Sequence, residues 1–266
     1  MAIENSEENR REAGLLIAQK ESNWKQPWSL IKHNKDLLRK EGFPLVVELG
    51  RAPLPTEFGN WTYMAFGDYT EGSHHELLIY GNFDKGSLGD GQNVLLRIHS
   101  ACRTNEVYHA VNCECRKEVE WSMKLIAEEG RGALIYLEQE GRGTGIAGKM
   151  QQLNRMFGWE GEEITQNRDP ETKDRIDTDR AYREAGLPSE TRDFDVAGEM
   201  LKYVGITSVR LLTNNPAKTQ GIASAGIQVE PIEIHIKPDN DIIAADLKSK
   251  AQNLNHNIRT EDWNVK

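Results

Sequence analysis

The sequence predicts an α/β fold: a mixed sheet with flanking helices, preceded by a helical N-terminal extension. Three observations predict it. From Pro44 onward, strand patterns give way to alternating helix and strand patterns, the order expected of βα units. Glycine, asparagine, aspartate and proline punctuate the junctions. With 38% apolar residues and 23 glycines in 266 positions, the chain can bury a proper core without disulfide staples.

Each element follows from its pattern. Residues 1–43 form the extension, with two short helical patterns, EENRREAGLLIAQKE and SLIKHNKDLLRKEG, split by Pro27. The segment 44–238 carries the main domain. It opens with the strands PLVVELG, NWTYMAFG, HELLIYG and NVLLRIHS. CRKEVEWSMKLIAEEG is an amphipathic helix with Val119, Met123, Ile126 and Ala127 on one face, stopped by Gly130 and Gly132. GALIYLEQ is a buried strand, followed by the turn EGRGTG and a helix from about Ile146 to Phe157. Residues 159–176 hold nine charges in eighteen positions and are expected to be an exposed insertion loop, with a lid or a dimer contact as the alternative. Then come helix DTDRAYREAG, turn LPSETRD, helix VAGEMLKYVG, strand SVRLLTN, helix AKTQGIASAG and strand QVEPIEIHI. The tail, 239–266, is expected to form a surface helix.

Composition excludes several classes. A net charge of −9 argues against a general grip on nucleic acid, which needs a basic footprint. It leaves room for a small anionic ligand in a local pocket of arginine and lysine. No apolar run approaches the roughly 18 residues of a membrane span. The start, MAIENSEENRREAG, is charged where a signal peptide is apolar. The expectation is a soluble, cytoplasmic protein whose thiols stay reduced.

All three cysteines then fall within fourteen positions, Cys102, Cys113 and Cys115, spaced C-x10-C-x-C. In a reducing compartment such a cluster points to metal or catalysis. Three thiolates suit zinc and leave a fourth position open, the arrangement of a catalytic ion. The alternatives are a structural zinc completed by His99 or His109, and three small buried hydrophobes that meet by accident.

The surrounding motifs occur in the order of one family. RIHSAC, CEC, IAEEGRGALIYLEQEGRGTGI, ETRDF and VRLLTNNPAK resemble GTP cyclohydrolase II, the zinc enzyme that opens riboflavin synthesis. The similarity runs from about Leu54 to Ile234. It implies a GTP cyclohydrolase II-like fold, with Cys102, Cys113 and Cys115 as zinc ligands. It also implies attack of activated water on C8 of guanine, ring opening, and release of formate and pyrophosphate. A triphosphate substrate would bring Mg2+ with it, and a homodimer is the expected assembly.

The resemblance places Arg97, Ile98, His99, Ser100 and Ala101 in a nucleotide-touching segment. There a guanidinium fork suits phosphate or a guanine edge. Glu140, Gly141 and Arg142 match the EGR contact, where a carboxylate can accept from guanine N–H groups and an arginine can hold phosphate. Glu118, Thr178, Thr213 and Lys218 match further contacts, the last two at a strand-to-helix turn of the kind that collects phosphate. Glu190 aligns with the proposed proton acceptor, usually an aspartate, and Arg192 with the proposed nucleophile. A guanidinium that stays protonated is better suited to holding the α-phosphate. Tyr136 is expected to pack within its buried strand.

Departures cluster at the substrate side. HSEC has become HSAC at Ala101, TGD reads TNE at Thr104 to Glu106, an arginine is Asn112, a glutamine is Glu118, and a tyrosine is Leu153. Glu118 is alternatively a solvated helix residue paired with Lys117 or Lys124. The leading expectation is hydrolytic opening of a purine nucleotide, GTP favoured. A paralogue acting on a uracil-type nucleotide in pyrimidine catabolism is the second. An inactive zinc-stabilised nucleotide-binding protein is the third.

Overall fold

The structure, a computed structural model, describes residues 35–40, 44–84 and 86–259. The first N-terminal helical pattern lies outside these residues. The second contributes α1 (Lys35–Lys40). Three antiparallel strands follow: β1 (Val46–Thr56), β2 (Gly59–Asp68) and β3 (Ser73–Tyr80). A small ribbon, β4 (Phe83–Asp84) with β5 (Ser87–Leu88), leads to β6 (Val94–Ser100). Helices α2 (Arg103–Glu106) and α3 (Cys115–Glu129) cross over to the parallel strand β7 (Gly132–Leu137). A 3-10 turn at Gly141–Gly143 opens α4 (Gly145–Met156). Next come the hairpin β8 (Phe157–Glu160) and β9 (Glu163–Gln166), α5 (Thr178–Glu184) and α6 (Asp195–Tyr203). Strand β10 (Ser208–Leu212), α7 (Pro216–Ser224), β11 (Gln228–Ile232) and α8 (Asp241–Asn253) complete the chain.

The main sheet has seven strands in the order β1-β2-β3-β7-β6-β10-β11. Its first half is antiparallel, and β7, β6, β10 and β11 run parallel. This is the mixed α/β fold the alternation of patterns predicts. Helices α6 and α7 cover one face through Val196, Ala197, Met200, Leu201 and Ile222. Helix α3 covers the other through Ile126, with Val119 and Met123 packed beside it. Strand β6 is buried on both faces along its whole length, so even its polar residues Arg97, His99 and Ser100 lie inside the protein.

Four expectations need correction. Gly130 does end α3, in a left-handed conformation at φ 79°. Gly132 instead begins β7: a Cβ there would meet Leu95 O at 2.6 Å and Ile126 Cγ2 at 2.7 Å, so glycine lets the helix lie close on the sheet. The charged stretch 159–176 is no plain loop, since β8 and β9 pair within it and Asp169 accepts from the backbone of Glu171 and Thr172. The last strand stops at Ile232 rather than running through EIHI. And α8 is not a surface helix: Ile243, Ala244, Asp246, Leu247 and Ser249 are buried.

From β6 the chain crosses to β7 on one side, and from β7 it returns to β10 on the other. The carboxyl ends of these strands therefore flank a switch point, where open α/β sheets bind ligands. Cys102 follows β6, Glu140 follows β7 and Thr213 follows β10.

Candidate active site

The cysteine loop is built around Asn105. Its amide donates to the carbonyls of Ala110 and Cys113, and its oxygen accepts from Arg116 N at 2.6 Å. This folds the ten residues between Cys102 and Cys113 back on themselves. The ligand atoms of Cys102, Cys113 and Cys115 then lie within 4.8 Å of one another. Cys102 Sγ is 3.6 Å from Cys113 Sγ, too far for a disulfide. Sulfurs sharing a tetrahedral zinc, each about 2.3 Å from it, lie roughly 3.8 Å apart. The donor set fits that ion. Neither candidate fourth ligand joins the group: His99 engages Glu106, and His109 lies against Arg116.

Electrostatics favour a thiolate here. Hydrogen bonds from Cys113 and Cys115 hold Cys102 well below the usual thiol range, against its burial and with help from the charge of Lys149. Lys149 Nζ sits 3.7 Å from Cys102 Sγ and 4.0 Å from Glu140 Oε1. Burial works against the charge of Lys149, yet the sulfurs and Glu140 carry its pKa above that of an ordinary lysine.

Beside the loop, Glu106 gathers three donors. Its Oε1 lies 2.7 Å from His99 Nε2 and accepts from Cys102 N at 3.0 Å, while Oε2 accepts from Tyr136 Oη at 2.6 Å. Tyr136 therefore does more than pack. Its ring stacks on His99, 5.7 Å away, and burial with Glu106 raises its pKa well above the ordinary phenol value. His99 Nδ1 is buried without a hydrogen-bond partner, and burial lowers the pKa of the ring.

The turn after β7 brings the EGR motif against the ETR segment. Glu140 accepts from Arg103 N and from Gly141 N, each at 2.8 Å, so both its oxygens already hold backbone. Gly141 and Arg142 both take left-handed backbone, at φ 60° and 55°. Arg142 O accepts from Thr191 N and Thr191 Oγ1, each at 3.0 Å. A Cβ on Gly143 would stand 2.4 Å from Thr191 Oγ1, so only glycine allows this approach. The Arg142 side chain is buried between Asp179 at 4.0 Å and Asp246 at 3.6 Å, beside the Tyr182 ring.

A cationic wall completes the site. Alternation along β6 turns Arg97 and His99 toward α3 and sends Ile98 into the core, so Ile98 offers only its carbonyl. Arg97 is 2% exposed, not a surface strand end, and pairs with Glu118 at 2.5 Å. Glu118 is thus no solvated helix residue, and Lys117 and Lys124 pair with Asp239 and Glu128 instead. Burial opposes the charge of Glu118, but Arg97 and then Lys250 and Lys218 hold its pKa down to about 2. Arg192 grips Glu190 through Nε, at 2.7 Å, and through its terminal nitrogen. Arg192 and Lys218 both lie over the Phe194 ring, at 5.5 and 5.6 Å. Lys218 Nζ donates to Ile98 O at 2.9 Å. Burial, Arg97 and Arg192 push its pKa well below the ordinary lysine value.

The remaining candidates are less directly engaged. Ser100 Oγ is buried without a partner, and Ala101 N donates to Leu137 O at 2.9 Å. Thr213 Oγ1 accepts from Asn215 N at 3.0 Å inside the TNNP turn. Thr178 Oγ1 lies 3.7 Å from Met156 Sδ. Sequence reasoning missed Glu106, Lys149, Asp246 and Lys250. One signal existed: Lys149, Gln152 and Met156 share the buried face of α4 at helical spacing, and a lysine on such a face needs a reason.

Comparison with known proteins agrees with this geometry. The family model described as GTP cyclohydrolase II matches residues 47–233. The riboflavin biosynthesis protein RibBA of Parabacteroides distasonis is 32% identical over 218 residues, 80% of this chain and 49% of that protein. GTP cyclohydrolase-2 of Neisseria meningitidis is 38% identical over 205 residues, covering 76% of this chain and 92% of that one. The Azotobacter vinelandii GTP cyclohydrolase-2 is 35% identical over 214 residues, covering 79% and 91%. The chain spans about half the length of the RibBA relatives it matches. Among the described residues, no helix is long and apolar enough to cross a membrane. With the motif order, the three gathered sulfurs and a model match over most of its length, the chain belongs to the GTP cyclohydrolase II family.

Proposed function

We propose that the chain is a cyclohydrolase that opens the imidazole ring of the guanine in GTP, with release of formate and pyrophosphate. The observation that carries this reading is the gathering of Cys102, Cys113 and Cys115 at the strand ends, within reach of Lys149 and beside a wall of buried cations. Bound by the three thiolates, zinc would supply Lewis-acid activation of water.

The chain's own residues do the rest. Arg97, Arg192 and Lys218 bind and neutralise the phosphates in a site where burial strengthens each contact. Arg192 orients the α-phosphate while Glu190 orients Arg192 and is the base that accepts a proton. Lys149 keeps Cys102 ionised. Tyr136 and His99, tied to Glu106, form a rigid stacked floor beside the sulfurs. In the overall reaction two waters add and the C8–N bonds break, so that C8 leaves as formate. A third water cleaves the α–β phosphoanhydride. The chain is proposed to work in the cytoplasm as a homodimer.

The substitutions at Ala101, Asn112, Glu118 and Leu153 keep a change of substrate or product in view. Arg97 already engages Glu118, so a glutamine donor at this point is replaced by an ion pair. The relatives described above carry riboflavin and GTP names, which favours GTP over a uracil-type nucleotide. The test is to incubate purified protein with GTP and a panel of purine and pyrimidine nucleotides, following formate, pyrophosphate and ring absorbance. Stoichiometric formate and pyrophosphate from GTP are expected. An inert GTP beside a consumed pyrimidine nucleotide would overturn the reading.

A further inference from the structure

Helix α8 lies beyond residues 47–233, the span the family model covers. Yet two of its charged side chains are sunk into the site. Lys250 Nζ is 2.5 Å from Glu114 Oε1 and 2.8 Å from Asp246 Oδ2. Asp246 Oδ1 is 3.6 Å from Arg142, which in turn is 4.0 Å from Asp179. Negative and positive charges thus alternate along one line: Glu114, Lys250, Asp246, Arg142, Asp179.

We propose that Asp246 and Lys250 are positioning residues of the active site, an i,i+4 pair that ties the cysteine loop to the Arg142 turn. The assignment rests on the function proposed above. Glu114 stands between Cys113 and Cys115, so Lys250 fixes the backbone that presents two of the three sulfurs. Asp246 faces the NH2 group of Arg142 at 3.6 Å, and that buried nitrogen makes no hydrogen bond, so the carboxylate is the charge that fixes this end of the guanidinium. Holding a binding group in one orientation from behind is how supporting residues tune ligands they never touch.

A helix serving only as a cover would not need these charges. Ile243, Ala244 and Leu247 already give α8 an apolar face, and burying an aspartate and a lysine is costly unless both are paired. The anchoring points the same way. Asn240 caps α8 through Ile242 N and Ile243 N while its own amide donates to Val111 O in the cysteine loop, at 3.0 Å. Ser249 Oγ lies 2.9 Å from Asp177 Oδ1, the side chain that caps α5. Beyond the helix, Asn257 N donates to Asn214 O in the TNNP turn at 2.8 Å. Each tether lands on a segment that carries site residues. The cavity left between α8, the following segment and the end of the sheet is 240 Å³ and reaches Glu114 and Glu118.

The test uses the full chain. Lys250→Met keeps the aliphatic stem and removes the charge, and Lys250→Arg restores the charge. Asp246→Asn and Asp246→Glu do the same for the carboxylate. Zinc release to a chelator is measured without nucleotide, GTP is titrated for KM and kcat, and thermal unfolding is recorded for all variants. Lys250→Met should lose zinc roughly 10- to 100-fold more readily, with Lys250→Arg closer to wild type. Asp246→Asn should raise KM for GTP about tenfold with kcat moved less, and Asp246→Glu should recover part of it. If Lys250→Met does not fold, Glu114→Gln carries the zinc arm with the same expected sign.

Variants that melt earlier but keep wild-type zinc retention and KM would make α8 a cover and overturn the assignment, leaving the proposed function intact. A wild-type chain that binds neither zinc nor GTP overturns the function first and this assignment with it.

Discussion

The cysteine loop and the cationic wall meet at Glu114, yet they are assembled in opposite ways. The loop is local. Fourteen positions hold every thiol, and Asn105, inside the same stretch, supplies the bonds that shape it. The wall is distributed. Arg97, Glu118, Arg142, Glu190, Arg192, Lys218, Asp246 and Lys250 come from six different elements and turns and meet only because the sheet ends there. A local cluster can be read from spacing. A distributed one depends on the whole fold, and each of its charges is tolerable only because another segment brings its partner.

The comparison breaks most sharply at the metal. Cys115→Ser should abolish both zinc content and turnover while circular dichroism and the thermal transition show a folded chain, because the core of a protein this size does not rest on the ion. Elemental analysis of protein purified without added metal checks it. Unchanged zinc in the variant would detach the loop from metal binding.

Lys218→Ala tests the wall. Losing a charge-assisted contact to phosphate costs on the order of 1.5–3 kcal/mol, so nucleotide affinity should fall roughly 10- to 100-fold. The pH dependence has a definite sign. Free Lys218 has a depressed pKa, and a bound phosphate raises it. Binding therefore takes up a proton between the two values, and affinity weakens as pH rises through that window. Calorimetry in buffers of different ionisation enthalpy should detect the uptake in wild type and not in the variant.

Asn105→Ala sharpens the local side. It removes three hydrogen bonds buried in the loop and should cost about 2 kcal/mol in denaturant unfolding. An unchanged unfolding midpoint together with unchanged zinc retention would mean the loop is shaped by the ion and not by Asn105.

Glu118→Gln should have the smallest effect, a loss of stability at neutral pH that disappears in acid. The folded pKa of Glu118 is about 2, below the ordinary value near 4.3. Its stabilisation is present above the ordinary value and lost as pH falls toward the folded one. Wild type should shed on the order of 1–2 kcal/mol between about pH 4.5 and 2 that the variant lacks. Parallel stability profiles of the two proteins would show that the Arg97 pair contributes nothing.

Legibility in the sequence followed the same divide. Strands β2, β3, β6 and β7 and helices α3 to α7 lie where periodicity puts them, because each carries its own apolar pattern. Cysteine spacing predicted a cluster of three. What periodicity could not convey was contact across the chain. DIIAADLKSKAQNLN reads as an exposed helix by composition, and its buried Asp246 and Lys250 are charges whose partners lie more than a hundred positions away. Tyr136 reads as core because it sits in an apolar strand, while its hydroxyl reaches Glu106 through a loop whose path no local pattern encodes. The stretch 159–176 reads as a loop because charges mask its alternation, while the pairing of Phe157 to Glu160 with Glu163 to Gln166 makes its start a hairpin.

Arg142 leaves one consequence for anyone selecting hardier versions of this chain. A left-handed backbone is held there by a residue with a Cβ, at a cost of about 1 kcal/mol relative to glycine. Replacing Arg142 by glycine would relax the turn by that amount, yet it would strip the buried Asp179 and Asp246 of their cation, and a buried charge left unpaired costs about 3–5 kcal/mol. The strained backbone is therefore kept by the pairs it presents, and selection for heat resistance alone would hold Arg142 in place.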